Sequence, residues 1–262
     1  MRAMSLTYSS YLRLDDLLDC QRPVSAGPEH DETLFIVIHQ VYELWFKQML
    51  HEVDFLVARL DADDLPAVQA TLKRVLTILK VLVAQIDILE TMTPISFLSF
   101  RSRLEAASGF QSPQFRELEF LLGRRDRRML VHHGDAPAHA KLERRLAEPS
   151  LWDVFLRFLD RHGFATPRAL AERDLSGSNP ESPELQPRLV EIYRTRPELA
   201  QVCERLVDLD EGIQEWRYRH VKMVERTIGT KSGTGGSSGA EYLRKTLFQP
   251  LFPDLWAIRG AL

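Results

Sequence analysis

Cysteine is scarce: Cys20 and Cys203 are the only two in 262 residues. So distant a pair forms neither a disulfide framework nor a metal-ligand spacing, and a reducing cytoplasm is the expected setting. An excess of one charge is also lacking. Thirty-four Lys and Arg against 37 Asp and Glu leave a net charge of −3, which gives no electrostatic case for nucleic acid or an anionic membrane as partner. The N-terminus has no basic region followed by an apolar stretch, so no signal peptide is expected. Long apolar runs are absent. The most hydrophobic stretch, 75–89, is interrupted by Lys80, Gln85 and Asp87, so nothing is expected to span a membrane. No internal repeat is visible. What remains is a chain that is 44% hydrophobic, an ordinary composition for a globular fold.

What is present is helical periodicity. Leu199, Val202, Leu206, Leu209, Ile213, Trp216 and Met223 recur at alternating spacings of three and four, the buried seam of an amphipathic helix. Pro197 suits its first turn. His220 stands on this seam where a leucine would be expected. A lone histidine there is ordinarily a core residue with a backbone partner; the sharper reading is a ligand. The pattern ends near Gly229 and opens into a glycine-rich loop, residues 229–239. A Gly/Ser/Thr run is ordinarily a linker, but a helical pattern resumes at Ala240, and consecutive amides can cradle an anion. Lys231 precedes the central glycines, so this is no GxxxxGK[ST] phosphate loop.

Upstream, residues 1–20 form a short arm carrying Tyr8, Tyr11, Leu12 and Leu14, either packed on its own domain or reaching a neighbouring subunit. A helix is expected over 33–60 with Asp31 as its cap. Phe35, His39 and Glu43 share one face of it. A second helix is expected over 65–90, apolar nearly all round and therefore buried between others. Thr91-Met-Thr-Pro-Ile breaks it. Arg101 then follows aromatic residues, where it either lays its stem on a ring or clamps a carboxylate. A third helix is expected over 111–122. The pair His132-His133 has no acidic or thiol partner at ligand spacing. Residues 136–196 read as short helices joined by turns, with Ser176-Gly-Ser-Asn-Pro as their flexible point. The expected fold is a single all-α domain over residues 1–262, a helical bundle.

Five stretches together identify a family resemblance. They are Phe35-Ile-Val-Ile-His-Gln-Val-Tyr-Glu-Leu-Trp-Phe-Lys-Gln, Leu89-Glu-Thr-Met-Thr-Pro, Ala107-Ser-Gly-Phe-Gln-Ser, Trp216-Arg-Tyr-Arg-His-Val-Lys-Met-Val and Gly233-Thr-Gly-Gly-Ser-Ser-Gly. In this order, across most of the chain, they resemble the tryptophan 2,3-dioxygenase family. Pro113 departs from the pattern, where a larger apolar residue is expected.

The resemblance implies a bundle enclosing a haem b pocket, one haem per subunit, ferrous in the active state. It implies His220 as the iron ligand, with Trp216 ordering that ring. It implies His39 as hydrogen-bond partner of the indole N–H of L-tryptophan, Phe35, Phe97 and Leu104 beside the indole, and Arg101 and Thr234 on the zwitterion. Ser108 falls at the distal haem edge. Tyr8, Tyr11 and Leu12 match arm residues that complete a neighbour's pocket, which implies a homotetramer. The reaction implied is insertion of both atoms of O₂ across the indole C2–C3 bond, giving N-formyl-L-kynurenine. The glycine loop is expected to be mobile when empty and to close on substrate.

Two other classes are weighed from the residues. A non-haem di-iron bundle needs inward Glu-x-x-His pairs, yet Gln48 precedes His51 and Arg217 precedes His220 by three. A non-catalytic helical module would bind an anion at 229–239 and carry no pigment.

Overall fold

The computed structural model describes residues 5–27, 29–134, 136–234 and 238–262. All regular structure among them is helical. Two short helices, α1 (Tyr8–Leu12) and α2 (Leu14–Leu18), form the arm and bury no side chain. Next comes α3 (His30–Asp61), whose heptad-like apolar positions Met49, Val53, Leu56 and Leu60 are fully inside. A tight turn at 62–64 reverses the chain into α4 (Leu65–Leu89), which Asp64 caps by accepting from Ala67 N at 3.2 Å. Asp31 does not cap α3: it lies inside the first turn, one residue after the helix begins, and no side chain caps that end. There it still places a negative charge near the positive helix terminus.

Helix α5 (Pro94–Arg101) starts at the expected break. Thr93 caps it, and Pro94 sits in the first turn, where its missing N–H costs no hydrogen bond. Pro113 opens α6 (Pro113–Leu122) in the same way behind the cap Ser112, which explains a proline where a larger residue was expected. Then come α7 (Ala136–Ala147), α8 (Leu151–Arg161), α9 (Arg168–Ala171) and α10 (Gln186–Thr195). The long α11 (Pro197–Ile228) follows, with α12 (Ala240–Arg244) and α13 (Pro253–Ala257) closing the chain.

The core is a three-helix layer of α3, α4 and α11, with α6 and α8 on one side and α10 and α13 on the other. Helix α4 is the middle member, as its all-round apolar surface requires. Gly212 lets α11 approach it: a Cβ there would lie 2.5 Å from Leu79 Cδ2. Asp210, two residues earlier and fully buried, anchors the C-terminal segment. Its Oδ2 accepts from Leu251 N, Phe252 N and Trp256 Nε1 at 2.8–3.0 Å.

The expected flexible point at 176–180 is instead tied down. Ser178 Oγ accepts from Arg125 N at 2.8 Å, Asn179 N donates to Gly123 O at 3.0 Å, and Asn179 Nδ2 donates to Leu251 O at 2.9 Å. The composition suggested a flexible point because these partners lie more than fifty residues away. Cys20 is exposed and Cys203 buried, and both are free. Among the described residues no helix is long and apolar enough to cross a membrane.

Candidate active site

One cavity of about 270 Å³ opens between α3, α5, α6 and α11, roofed by the turn at 104–112 and by the glycine loop. It gathers most of the residues singled out from the sequence. Phe35, His39, Phe97, Arg101, Leu104, Ser108, Trp216, His220 and Thr234 all line it. Tyr8, Tyr11 and Leu12 do not, and Tyr8 and Tyr11 are 75% and 70% exposed. Its root is nevertheless fixed, because buried Glu32 accepts from Val24 N and Ser25 N, and Gln40 donates to Cys20 O.

The two histidines differ in their partners. His39 Nδ1 lies 2.7 Å from Phe35 O. A carbonyl can only accept, so Nδ1 carries the hydrogen and Nε2 keeps its lone pair. Burial lowers the His39 pKa, which keeps the ring neutral. It is thus an acceptor, and it lies against Phe35 with ring centres 4.1 Å apart. Phe97 stands 5.7 Å beyond Phe35. Together they make an aromatic slot with one hydrogen-bond acceptor in it, matched to a flat apolar ring that bears an N–H.

His220 has no hydrogen bond among the described residues; its one close partner is the Trp216 ring, stacked at 5.2 Å and 25°. The core-histidine reading required a backbone partner and is not met. Burial, aided by the nearby His39, pushes its pKa down to about 4, so both nitrogens are free of excess protons at neutral pH. A neutral imidazole on a cavity wall, with no hydrogen-bond partner among the described residues, could hold a metal ion. Among the described residues no cluster of three or more His, Cys, Asp or Glu can hold a metal ion. His132 packs edge-on against Phe110, and His133 is buried beside it. An ion held by His220 would have to bring its other ligands with it.

Arg101, at the last turn of α5, donates through Nη2 to Ser232 O, and Thr234 Oγ1 donates to Ala107 O at 2.6 Å. These contacts tie the glycine loop to the α5 side of the cavity. Gly239 closes the loop at φ +62°, and a Cβ there would meet Lys231 O at 2.7 Å, so only glycine fits. Residues 235–237, inside the expected mobile loop, lie outside the described residues.

The sequence reading missed the charged end of the cavity. Glu119 accepts from Arg217 Nη2 at 2.6 Å and from Arg116 Nη1, with Arg124 Nε 3.7 Å away. Burial alone would raise its pKa, but Arg116, Arg217 and Arg124 together hold it below the usual carboxylate range. Arg116 and Glu119 read as a solvated pair at i, i+3; only the packing of α6 against α11 puts them inside. Glu43 also lines the cavity and accepts from Gln114 Nε2 at 2.8 Å.

Comparison with known proteins decides the family. The tryptophan 2,3-dioxygenase family pattern matches residues 1–162 and 181–262. The chain belongs to the tryptophan 2,3-dioxygenase family. A tryptophan 2,3-dioxygenase of Herpetosiphon aurantiacus is 58% identical over 260 residues, covering 99% of this chain and 100% of its own. One from an Anaeromyxobacter species (strain K) is 61% identical over 259 residues, 98% and 97% of the two chains. One from Caulobacter vibrioides is 46% identical over 264 residues, 99% and 100%. The unmatched stretch, 163–180, contains α9 and the tied loop and contributes no residue to the cavity lining.

Proposed function

We propose that this chain is a haem-dependent dioxygenase that cleaves the indole C2–C3 bond of L-tryptophan with O₂ to give N-formyl-L-kynurenine, the opening step of tryptophan degradation. The observation that carries the reading is the pair of unlike histidines on one cavity: His220 without a protein partner, and His39 with its tautomer fixed by Phe35 O. His220 holds the iron of a ferrous haem b, and Trp216, stacked on it, keeps the ring from turning. The haem supplies the chemistry that activates O₂, and the polypeptide supplies the ligand, the walls and the clamps.

The substrate's indole enters the slot of Phe35, Phe97 and Leu104. His39 Nε2 accepts the indole N–H and so sets the in-plane orientation of the ring. It acts as an orienting partner more than as an obligatory base. Arg101 has five donors and spends one on Ser232 O, which leaves a fork for the carboxylate. The Thr234 hydroxyl turns from Ala107 O to the zwitterion, and the loop at 229–239 closes with it. Ser108 borders the edge of the cavity that opens beside Gly109 and Phe110. In a homotetramer, Tyr8, Tyr11 and Leu12 complete the pocket of a neighbouring subunit, consistent with an arm that buries nothing at home. The expected setting is cytoplasmic.

The test is a spectrum. Purified protein should show a strong haem band that shifts with dithionite and again with L-tryptophan, and His220→Ala should lose it. A His220→Ala protein with full pigment and activity would overturn the reading. Light scattering measures the subunit number.

A further inference from the structure

The end of the cavity between α6 and α11 holds more positive charge than its own residues neutralise. Arg116, Arg124 and Arg217 surround a single carboxylate, Glu119, and all four residues line the cavity. Arg116, Glu119 and Arg217 are 8%, 6% and 4% exposed. Three guanidinium groups against one carboxylate leave two surplus positive charges, and the Arg116 and Arg217 side chains are nearly buried. After internal pairing, Arg116 Nε and Arg217 Nη1 remain buried with no hydrogen-bond partner among the described residues. Buried charges left so are costly unless something of opposite charge meets them. The same surplus reaches His133, where burial and then Arg116 hold the imidazole neutral.

We propose that Arg116 and Arg217, held in place by Glu119, form a site for the two carboxylates on one edge of the porphyrin. The inference rests on the haem reading above and adds the anchor at the other end of the ligand. Arg217 lies three residues before His220, so the guanidinium and the iron-ligating imidazole share a face of α11. Arg116 faces them from α6. Glu119 takes one nitrogen from each arginine, which fixes both guanidinium planes and leaves another nitrogen of each to the ligand. It is a positioning residue. It also sets the charge count: with two carboxylates bound, the cluster is neutral.

The experiment titrates the full-length, cofactor-free protein with iron protoporphyrin IX and with its dimethyl ester, which differs only in its two blocked carboxylates. Soret absorbance and quenching of tryptophan fluorescence report binding without turnover. The ester should bind at least about a hundredfold more weakly, since two charge-assisted contacts are lost. Arg116→Gln and Arg217→Gln should each weaken the free acid by about tenfold or more and leave the ester unchanged. Glu119→Gln separates positioning from charge. Arg116 and Arg217 use different oxygens of Glu119, so in the glutamine variant one of them faces an amide NH2 that cannot accept, and the preference for the acid should fall although the cluster gains positive charge. A rise would overturn the positioning role. An ester that binds within about threefold of the acid in the unsubstituted protein overturns the carboxylate site and leaves the haem reading standing. Arginine variants that weaken both porphyrins equally also overturn the site. If neither porphyrin binds the unsubstituted protein, the haem reading falls and this inference falls with it.

Discussion

Asp210→Ala isolates the device that fastens the C-terminal segment to the helix bearing His220. The carboxylate is fully buried, and its Oδ2 accepts from Leu251 N at 2.8 Å, Phe252 N at 3.0 Å and Trp256 Nε1 at 2.9 Å. Oδ1 accepts from Gln214 Nε2 at 2.9 Å. Alanine removes every acceptor at once. Two backbone N–H groups are then stranded in the interior, each worth about 1–3 kcal/mol when unsatisfied. The indole N–H loses less, because Trp256 is 37% exposed and water can reach it. The expected loss is about 4 kcal/mol, a large part of the 5–15 kcal/mol that holds a typical domain together. Asp210→Asn keeps one oxygen for the same donors and should cost only about 1–2 kcal/mol. Urea unfolding followed by circular dichroism measures both. Ten residues of α11, about 15 Å, separate Asp210 from His220, so the asparagine variant should retain its haem band. A loss below about 1 kcal/mol for alanine, or asparagine as damaging as alanine, would refute the argument from stranded donors.

Three further outcomes follow from the cavity. Arg101→Ala should raise KM for L-tryptophan by about 2–4 kcal/mol of lost charge-assisted binding, measured by steady-state kinetics; an unchanged KM removes Arg101 from the carboxylate role. His39→Ala should keep haem and lose about tenfold in kcat/KM, the worth of one orienting hydrogen bond; complete loss of turnover with normal binding would make His39 an obligatory base. In the cofactor-free protein, burial and His39 hold His220 at about 4, whereas the unfolded chain protonates it near 6.5. The unfolded state therefore binds the extra proton between those values, and stability falls as the pH drops through that window. The loss from pH 7 to 5 is at most about 2 kcal/mol, since the ring borders a cavity that water enters. Urea titrations at both pH values should show this loss shrinking in His220→Gln.

The sequence by itself determined which segments are helical, because periodicity and caps are local. The spacing of Leu199 through Met223, Pro197 and Pro94 in their first turns, and the break at Thr91 are all decided within a few residues. It also marked His220 and Arg101, since a histidine on an apolar seam or an arginine after aromatics breaks a local pattern, while Thr234 and the role of His39 came from the family resemblance. Asp31 failed as a cap because helix entry depends on the preceding backbone, which a one-residue shift changes. Tertiary structure alone decided the rest. Glu119 and Arg116 look like any exposed i, i+3 pair until α6 lies against α11. The 176–180 turn looks like a flexible point until Arg125, Gly123 and Leu251 supply its hydrogen bonds from far along the chain. Burial of charge depends on which surfaces meet, and residues a hundred positions apart leave no trace of that meeting in either local pattern.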